Sequence, residues 1–303
     1  MPRRRRSGWL PGPWGYVLNR AVAPLFPLGL AHRLSLPIAD VVYVLWRSKR
    51  ENARRNYAHI LGRSPDDPLV EGMVRSCFRH FGRYVAEMLH VQGWDTESVV
   101  DRLEVRGGEH FDEAEALGRG VIFVSAHLGS TEIAASLAVL RGYKITSVAQ
   151  PLHPRFVMDW IIACRADMGV TLLPTTGTGI ALVRALRRRE MVALVVDAGV
   201  AIGGGIPVNF FGRTTLFPSG PARLARLSGA PIVFGLGARR PGGRFIAHVE
   251  PPLLSNRELD AEEDARRLTQ RIVDIFEGYV RRYPDQWYAF RNMWPEDDGQ
   301  MGI

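Results

Sequence analysis

The chain has 303 residues, of which 46% are hydrophobic, and a formal net charge of +8. This length predicts one large or two ordinary domains with a substantial buried core. The two cysteines, Cys77 and Cys164, form no CxxC pair, which argues against a disulfide framework and gives little support to a zinc site. A reduced cytosolic setting fits this cysteine usage.

Arginine supplies nearly all of the positive charge, because Lys49 and Lys144 are the only lysines. This bias fits a GC-rich genome, and it also fits phosphate recognition, since a guanidinium group contacts two oxygens at once. No helix-turn-helix, zinc-finger or RNP sequence occurs, so nucleic acid is a poor candidate for the anion. Anionic lipid is the better candidate, because of the composition of the N-terminal segment.

Residues 1–46 combine a basic cluster, Arg3 to Arg6, with the aromatic residues Trp9 and Trp14 and with apolar stretches. Charged residues interrupt each apolar run before it reaches the ~18 residues of a membrane-spanning helix. Prolines break the pattern of a secretory signal. We predict a membrane-associating segment at 1–46, followed by one larger domain at 47–303. The alternative is that the apolar stretches are packed helices of that domain.

Residues 47–100 show apolar side chains at helical spacing, and from residue 101 onward short apolar runs alternate with amphipathic segments. This alternation predicts an α/β fold with a mixed, largely parallel sheet flanked by helices. The predicted strands are 120–125, 145–149, 170–173, 191–196, 231–237 and 244–250. The predicted helices are 129–140, 155–168, 178–188, 219–228 and 259–282.

His127 and Glu132 lie at the junction between a predicted strand and the next predicted helix. Residues this far apart on one helix would lie about 140° apart, so the two side chains meet only if His127 ends the strand and Glu132 begins the helix. A histidine at the carboxyl end of a strand can reach a bound ligand, and a carboxylate can orient its ring. We interpret the pair as a candidate general base and its partner. The alternative is a histidine that satisfies a buried turn, followed by a capping acid.

Two further charged residues are candidates for a site. Asp197 ends the apolar strand 191–196, so it is either a site carboxylate or a turn-forming residue. Arg165 lies in the predicted helix 155–168, where it either binds a phosphate or forms a structural ion pair with an acid such as Asp159 or Asp167.

The run Phe210-Phe211-Gly212-Arg213 precedes Pro218-Ser219-Gly220 and the start of a new helix. We predict that it forms a groove for a hydrocarbon chain beside an anion-binding backbone. The alternative is the end of a hairpin followed by a Ser-capped helix. A serine hydrolase has little support, because Ser125 does not lie in a GxSxG sequence.

Taken in order, these segments resemble the bacterial lipid A biosynthesis (lauroyl/myristoyl) acyltransferases. That family is lysophospholipid-acyltransferase-like and includes phosphatidylinositol mannoside acyltransferase. His127-x4-Glu132 matches its HX4(D/E) pair. The most specific segment runs from Val208 through Phe210-Phe211-Gly212 to Pro231, and Tyr283-Pro284-Asp285-Gln286-Trp287-Tyr288 resembles the family's terminal Pro-Glu-Gln-Trp.

The resemblance implies a glycerolipid-acyltransferase-like core at 47–303 that uses neither a metal nor a cofactor. The implied reaction moves a long-chain acyl group from an acyl-ACP (acyl carrier protein) or acyl-CoA thioester to a hydroxyl of a membrane glycolipid. A lipid A precursor is slightly favoured as the acceptor, with phosphatidylinositol mannoside as the alternative. The implied location is the anionic cytoplasmic face of the inner membrane. A non-catalytic lipid-binding protein is the competing interpretation.

The resemblance also implies roles for particular residues. His127 is expected to be the general base, with Glu132 orienting its imidazole. Arg165 is expected to bind a phosphate of the donor or acceptor. The other expected substrate-binding residues are Asp197, Phe210, Phe211, Gly212 and Arg213.

Overall fold

The computed structural model of the chain describes residues 27–90, 100–150, 155–167, 169–175, 177–199 and 204–295. The basic cluster and the tryptophans predicted to meet the membrane, Arg3 to Arg6, Trp9 and Trp14, lie outside these described residues.

Three helices come first, and they confirm the helical prediction for residues 47–100 as far as residue 90. Residues 91–99 lie outside the part of the chain that the structure describes. They are α1 (Leu28–Leu45), α2 (Arg47–Leu61) and α3 (Pro68–His90). The single residue Trp46 separates α1 from α2, and α2 ends where Gly62 adopts the left-handed conformation that commonly closes a helix.

Helix α1 packs along α3, and the two helices approach closely at Gly82. A Cβ at Gly82 would lie 3.1 Å from the Cβ of Ala39 and 3.2 Å from the carbonyl oxygen of Ser35. Asp40 on α1 accepts hydrogen bonds from Arg79 and Arg75 on α3, and these bonds hold the pKa of its carboxyl well below the usual range. Small residues and ion pairs therefore fix α1 against the rest of the chain.

A seven-stranded sheet forms the centre of the molecule. The strands are β1 (Leu103–Arg106), β2 (Val121–Ser125), β3 (Ile145–Ala149), β4 (Val170–Pro174), β5 (Met191–Val195), β8 (Ile232–Arg240) and β9 (Arg244–Val249). Their order in the sheet is β1-β9-β8-β2-β5-β3-β4. Neighbouring strands are parallel except for β8 and β9, which form an antiparallel hairpin. This arrangement confirms the predicted mixed, largely parallel sheet.

The antiparallel hairpin β6 (Gly205–Phe210) and β7 (Arg213–Pro218) lies outside this sheet. Neither hairpin strand was among the predicted strands, and β1 was not predicted either. Strand β1 has only four residues and three of them are exposed, so it carries little apolar signal.

Helices cover both faces of the sheet, because successive strand side chains point to opposite sides. The helices are α4 (Glu109–Ala116), α5 (Thr131–Leu140), α6 (Arg155–Asp167), α7 (Gly179–Arg187), α8 (Gly220–Ser228) and α9 (Ala261–Arg282). In β2, Ile122 and Val124 join one apolar core with α7, α8 and α9, whereas Val121 and Phe123 join a second core with α4 and α5.

Residues 284–294, here called the C-terminal segment, cross from α9 to the carboxyl edge of the sheet. Asn56 and Tyr57 of α2 hold this segment through its backbone. The Asn56 amide donates to the carbonyls of Ala289 and Arg291 at 2.9 and 2.6 Å. The Tyr57 hydroxyl lies 2.7 Å from the carbonyl oxygen of Trp287. The N-terminal helices therefore position a segment that lies directly beside the predicted site.

Candidate active site

The register of two neighbouring strands brings His127 and Asp197 together. In the parallel pair of β2 and β5, Ser125 lies opposite Val195. His127 and Asp197 each follow their paired residue by two positions, so they leave the same edge of the sheet side by side. Parallel α/β sheets bind their ligands at this carboxyl edge.

Asp197 is the hydrogen-bond partner of the His127 imidazole. Its Oδ1 lies 2.9 Å from Nδ1 of the ring. The backbone N–H of His127 donates to Oδ1 and Oδ2 of the same carboxylate at 2.9 and 3.1 Å. With Nδ1 held by Asp197, Nε2 is the nitrogen left for a substrate, and 46% of the His127 side chain is exposed.

The pair also sets the proton affinity of the ring. Burial would lower the pKa of His127, but the charge of Asp197 and its hydrogen bond outweigh this and raise the pKa above its ordinary value of about 6.5. Burial would raise the pKa of Asp197, but the charge and hydrogen bonds of His127 lower it. The carboxylate therefore stays ionised while the imidazole becomes a stronger base.

Glu132 has a different partner from the one expected. It lies in the first turn of α5, as predicted. However, its Oε1 accepts hydrogen bonds from the Tyr84 hydroxyl at 3.1 Å and from Arg165 Nη2 at 3.2 Å. The expectation that Glu132 orients the imidazole is corrected, because Asp197 occupies the hydrogen-bonding position at Nδ1. Glu132 contributes to the charge around His127 without such a bond.

Arg165 extends from α6 toward α5 and forms the ion pair with Glu132. The Arg165 side chain is 22% exposed and that of Glu132 is 4% exposed, so the pair is largely shielded from water. The Arg165 Nε is buried without a hydrogen-bond partner among the described residues. Arg165 therefore forms a structural ion pair and still carries a donor beside the site.

Gly129 allows the site loop to approach the next strand. It has a φ of +70°, and an added Cβ would overlap the carbonyl oxygen of Gly237 on β8. That oxygen instead accepts the Ser130 N–H at 2.6 Å. The Gly129 N–H donates to the Gln286 carbonyl at 2.9 Å. Gly129 is therefore required in this turn, which the backbone of Gly237 holds on one side and the backbone of Gln286 on the other.

Phe210 does not line a groove. Its side chain is 0% exposed. Its ring stacks on Phe276 and Trp294, with centroid distances of 5.3 and 5.5 Å, and packs edge-on against Trp287 at 5.8 Å. The prediction of an acyl groove at Phe210 is therefore wrong, because this ring fills the core between the hairpin and α9.

Phe211 and Gly212 form the tight turn of the β6–β7 hairpin, which matches the alternative of a hairpin end. Both have positive φ, 51° and 76°, as a two-residue turn of type I′ requires. The Phe211 N–H donates to Glu277 at 2.6 Å, and Arg281 lies over the Phe211 ring. Arg213 begins β7 and pairs with Phe210 across the turn. These contacts with Glu277 and Arg281 fix the hairpin turn to α9, so the role of this motif is structural.

An apolar groove of about 450 Å³ lies instead between α1 and α3. Val85 in its α3 wall directly follows Tyr84, whose hydroxyl donates to Glu132. Side chains that line it include Leu34, Ile38, Val42, Phe78, Phe81, Val85, Leu89 and His90.

Three residues at the site were not identified from the sequence. Tyr84 bonds to Glu132, the Trp287 indole donates to Asp197 Oδ2 at 3.2 Å, and Arg291 Nε donates to the Asp197 carbonyl at 2.8 Å. Trp287 lies in the quoted Pro284-Asp285-Gln286-Trp287 run, which was the available signal. Helical spacing marked Tyr84 as core, and no pattern marked Arg291.

Replacement with lysine separates the two possible roles of Arg165, which are a structural ion pair with Glu132 and contact with a substrate. Arg165→Lys is expected to keep the melting temperature near wild type, because an ammonium can still pair with Glu132. It is expected to lower kcat/KM by about tenfold if the Arg165 guanidinium group contacts substrate, since a hydrogen bond to a charged group contributes ~1.5–3 kcal/mol. Steady-state kinetics and thermal melting of the same preparation measure both effects. Unchanged kinetics in Arg165→Lys, with a destabilised Arg165→Ala, would remove Arg165 from substrate binding.

Comparison with known proteins identifies the family of the chain. The family model for bacterial lipid A biosynthesis acyltransferase matches residues 7–296. A phosphatidylinositol mannoside acyltransferase of Mycolicibacterium smegmatis is 27% identical over 82% of this chain and 80% of that protein. A phosphatidylinositol mannoside acyltransferase of Mycobacterium tuberculosis is 28% identical over 82% of this chain and 78% of that protein.

A lipid A biosynthesis acyltransferase of Haemophilus influenzae is 24% identical over 61% of this chain and 57% of that protein. The family model spans nearly the whole chain, including the His127 loop, Asp197 and the C-terminal segment up to Trp294. The chain is an acyltransferase and belongs to the bacterial lipid A biosynthesis acyltransferase family.

Proposed function

We propose that the protein transfers a long-chain acyl group from an acyl-ACP or acyl-CoA thioester to a hydroxyl of a membrane glycolipid. The observation that carries this proposal is the His127–Asp197 pair at the carboxyl edge of the sheet, with Nδ1 engaged at 2.9 Å. This geometry fits a general base whose second ring nitrogen is available to a hydroxyl group.

In the proposed reaction, His127 Nε2 takes the proton of the acceptor hydroxyl while the oxygen of that hydroxyl attacks the thioester carbonyl carbon. The C–O bond forms, the C–S bond breaks, and the thiol leaves with the proton that His127 returns. Asp197 stabilises the imidazolium that exists between the two proton transfers. Positioned base catalysis of this kind typically contributes about 10²–10⁴-fold.

The acceptor is proposed to be a glycolipid. Relatives named for phosphatidylinositol mannosides match 82% of the chain, and one named for lipid A matches 61%. These names support a phosphatidylinositol mannoside as acceptor at least as well as the lipid A precursor favoured from the sequence. In both cases, Arg165 is the proposed contact for a phosphate of donor or acceptor.

The experiment is a transfer assay with purified protein. Radiolabelled acyl-CoA and acyl-ACP are each incubated with a phosphatidylinositol mannoside or a lipid A precursor, and the lipid products are separated. We expect label in one acceptor, dependent on both thioester and protein. Binding of lipid without any labelled product from either donor would favour a non-catalytic lipid-binding protein.

The groove between α1 and α3 is the proposed site of the donor's acyl chain. Its wall is apolar, its volume of about 450 Å³ is within the usual range for ligand pockets, and Val85 in its wall directly follows Tyr84 in the chain. Each buried methylene group contributes about 0.8 kcal/mol, so the length of the groove would set the preferred chain length.

A larger side chain in this groove is expected to shorten the preferred acyl chain. Val85→Phe fills part of the α3 wall, so we expect kcat/KM to fall for the longest donors and to change little for the shortest. Leu69→Phe is the control, because Leu69 is exposed on the same helix and does not line the groove. A series of saturated donors of increasing length measures the effect. An unchanged order of preference in Val85→Phe would contradict this placement.

Helix α1 also offers a surface for the membrane, and we propose that it lies on the cytoplasmic face of the inner membrane. It is 18 residues long with a mean hydropathy of 1.4, enough by length and composition to cross a membrane. Its contacts with α3 favour a helix lying on the surface. Val41, Val44 and Leu45 are exposed on it, and Arg47 and Lys49 follow at the start of α2. Apolar and basic groups so arranged bind anionic lipid surfaces.

The double replacement Val41→Asp and Val44→Asp is expected to weaken binding to anionic liposomes at least about tenfold, because two charges would enter the apolar layer. Co-sedimentation at low and high salt measures this binding. Leu227→Asp is the matched control, since Leu227 is 72% exposed on α8. Equal sedimentation of the double variant and the control would argue against α1 as the membrane surface.

A further inference from the structure

Asp197 holds more than the imidazole. Its Oδ2 accepts a hydrogen bond from the Trp287 indole N–H at 3.2 Å, in addition to the bond from the His127 backbone. Trp287 is 0% exposed. An indole N–H donates a proton and accepts none, so this bond favours the ionised carboxylate.

The Trp287 ring is itself fixed from several sides. Its backbone carbonyl oxygen accepts hydrogen bonds from the Tyr57 hydroxyl at 2.7 Å and from Cys77 Sγ at 3.2 Å. Its backbone forms a β-bridge with Leu128, the residue after His127. The ring packs edge-on against Phe276, with centroids 5.9 Å apart. The indole N–H therefore has little freedom to leave Asp197.

The backbone on both sides of Trp287 also contacts the His127 loop. The Gly129 N–H donates to the Gln286 carbonyl at 2.9 Å, and the Tyr288 N–H donates to the His127 carbonyl at 2.8 Å. The Tyr288 hydroxyl donates to the Gly129 carbonyl at 2.6 Å. One short segment thus contacts both members of the base pair, the loop of His127 and the carboxylate of Asp197.

We infer that Trp287 is a positioning residue for acyl transfer, whose indole N–H holds the Asp197 carboxylate in the orientation that faces His127. This inference rests on the proposed function of His127 as the base. Trp287 acts through Asp197 and does not itself meet the substrate. The N-terminal helices take part, because Tyr57 of α2 and Cys77 of α3 fix the Trp287 backbone.

A purely structural role for this tryptophan predicts something different, and the chain contains a matched control. Trp294 is also buried, and it stacks on Phe210 as part of the same aromatic core. Its indole Nε1 has no hydrogen-bond partner among the described residues. Replacing either tryptophan with phenylalanine removes similar packing, but only Trp287→Phe removes a hydrogen bond to Asp197.

Trp287→Phe is expected to lower kcat by about tenfold, within the usual effect of losing a hydrogen bond to a charged group, with a smaller change in KM. Without the indole donor, the Asp197 carboxylate can turn away from the ring, so it raises the pKa of His127 less. The acidic limb of the kcat/KM profile should therefore move to lower pH. Trp294→Phe should keep both the kcat and the pH limb of the wild type. Equal kinetics and equal limbs in the two variants would overturn the inference.

A measurement on the wild-type protein covers the case in which Trp287→Phe fails to fold. With ¹⁵N-labelled tryptophan, the Trp287 indole resonance should shift with the same pKa as the His127 ring, because both groups bond to one carboxylate. The Trp294 indole resonance should not follow that titration. A Trp287 resonance that is indifferent to His127 would overturn the inference even if no acyl transfer were found. If the wild-type protein showed no acyl transfer, only the proposed function would be overturned.

Discussion

His127→Ala is expected to lower acyl transfer by about 10²–10⁴-fold while leaving the fold intact. The imidazole supplies the base, and alanine cannot replace it. The fold should persist because the side chain is 46% exposed and the His127 backbone N–H still bonds to Asp197. Transfer assays and thermal melting of the same preparation measure the two effects.

The control for this prediction is His110→Ala. His110 lies in the first turn of α4, away from the carboxyl edge of the sheet, and pairs with Glu113. This variant should keep wild-type activity. If His127→Ala retained more than about a tenth of the wild-type kcat, a general-base role for His127 would be contradicted.

Asp197→Asn is expected to lower kcat by roughly 10²–10⁴-fold, because an amide cannot accept hydrogen bonds at both positions that the carboxylate uses. The change should also have a distinct effect on pH dependence. Asp197 raises the pKa of His127 against the opposing effect of burial. Without that charge the pKa of His127 falls, so the acidic limb of the kcat/KM profile moves to lower pH. The value of kcat/KM on the plateau above this limb also falls.

The matched comparison is Glu132→Gln, which removes a carboxylate that does not bond to the ring. It should destabilise the protein, because Arg165 loses its partner, and it should move the pH limb less than Asp197→Asn does. A larger shift of the limb in Glu132→Gln than in Asp197→Asn would restore Glu132 as the partner of the imidazole. Melting curves separate the loss of stability from the loss of base strength.

The sheet was predictable because its strands are short apolar runs between amphipathic helices. All five residues of β2 are buried, as its continuous apolar run indicates, and its side chains join the cores on the two faces alternately. Strand order was not predictable in the same way, since β2 lies next to β5 and not next to β3. That neighbour relation places Asp197 beside His127, although the two residues are far apart in the chain.

Glu132 shows the corresponding limit at the site. Its closeness to His127 in sequence favoured a direct bond, but the first turn of α5 directs its carboxylate toward Tyr84 and Arg165. Those partners lie on α3 and α6, and only tertiary packing brings them together. Phe210 was misassigned for a related reason, because an aromatic side chain in a core and one in a groove give the same sequence pattern.

The central claim is that Asp197 holds the His127 imidazole with its proton on Nδ1 and so leaves Nε2 as the base. A ¹⁵N NMR titration of the histidine rings measures this most directly, with His127→Ala used to assign the resonance. We expect neutral His127 to be the Nδ1–H tautomer, with a pKa above the ordinary value of about 6.5. A neutral ring protonated at Nε2, or a pKa below that ordinary value, would contradict it.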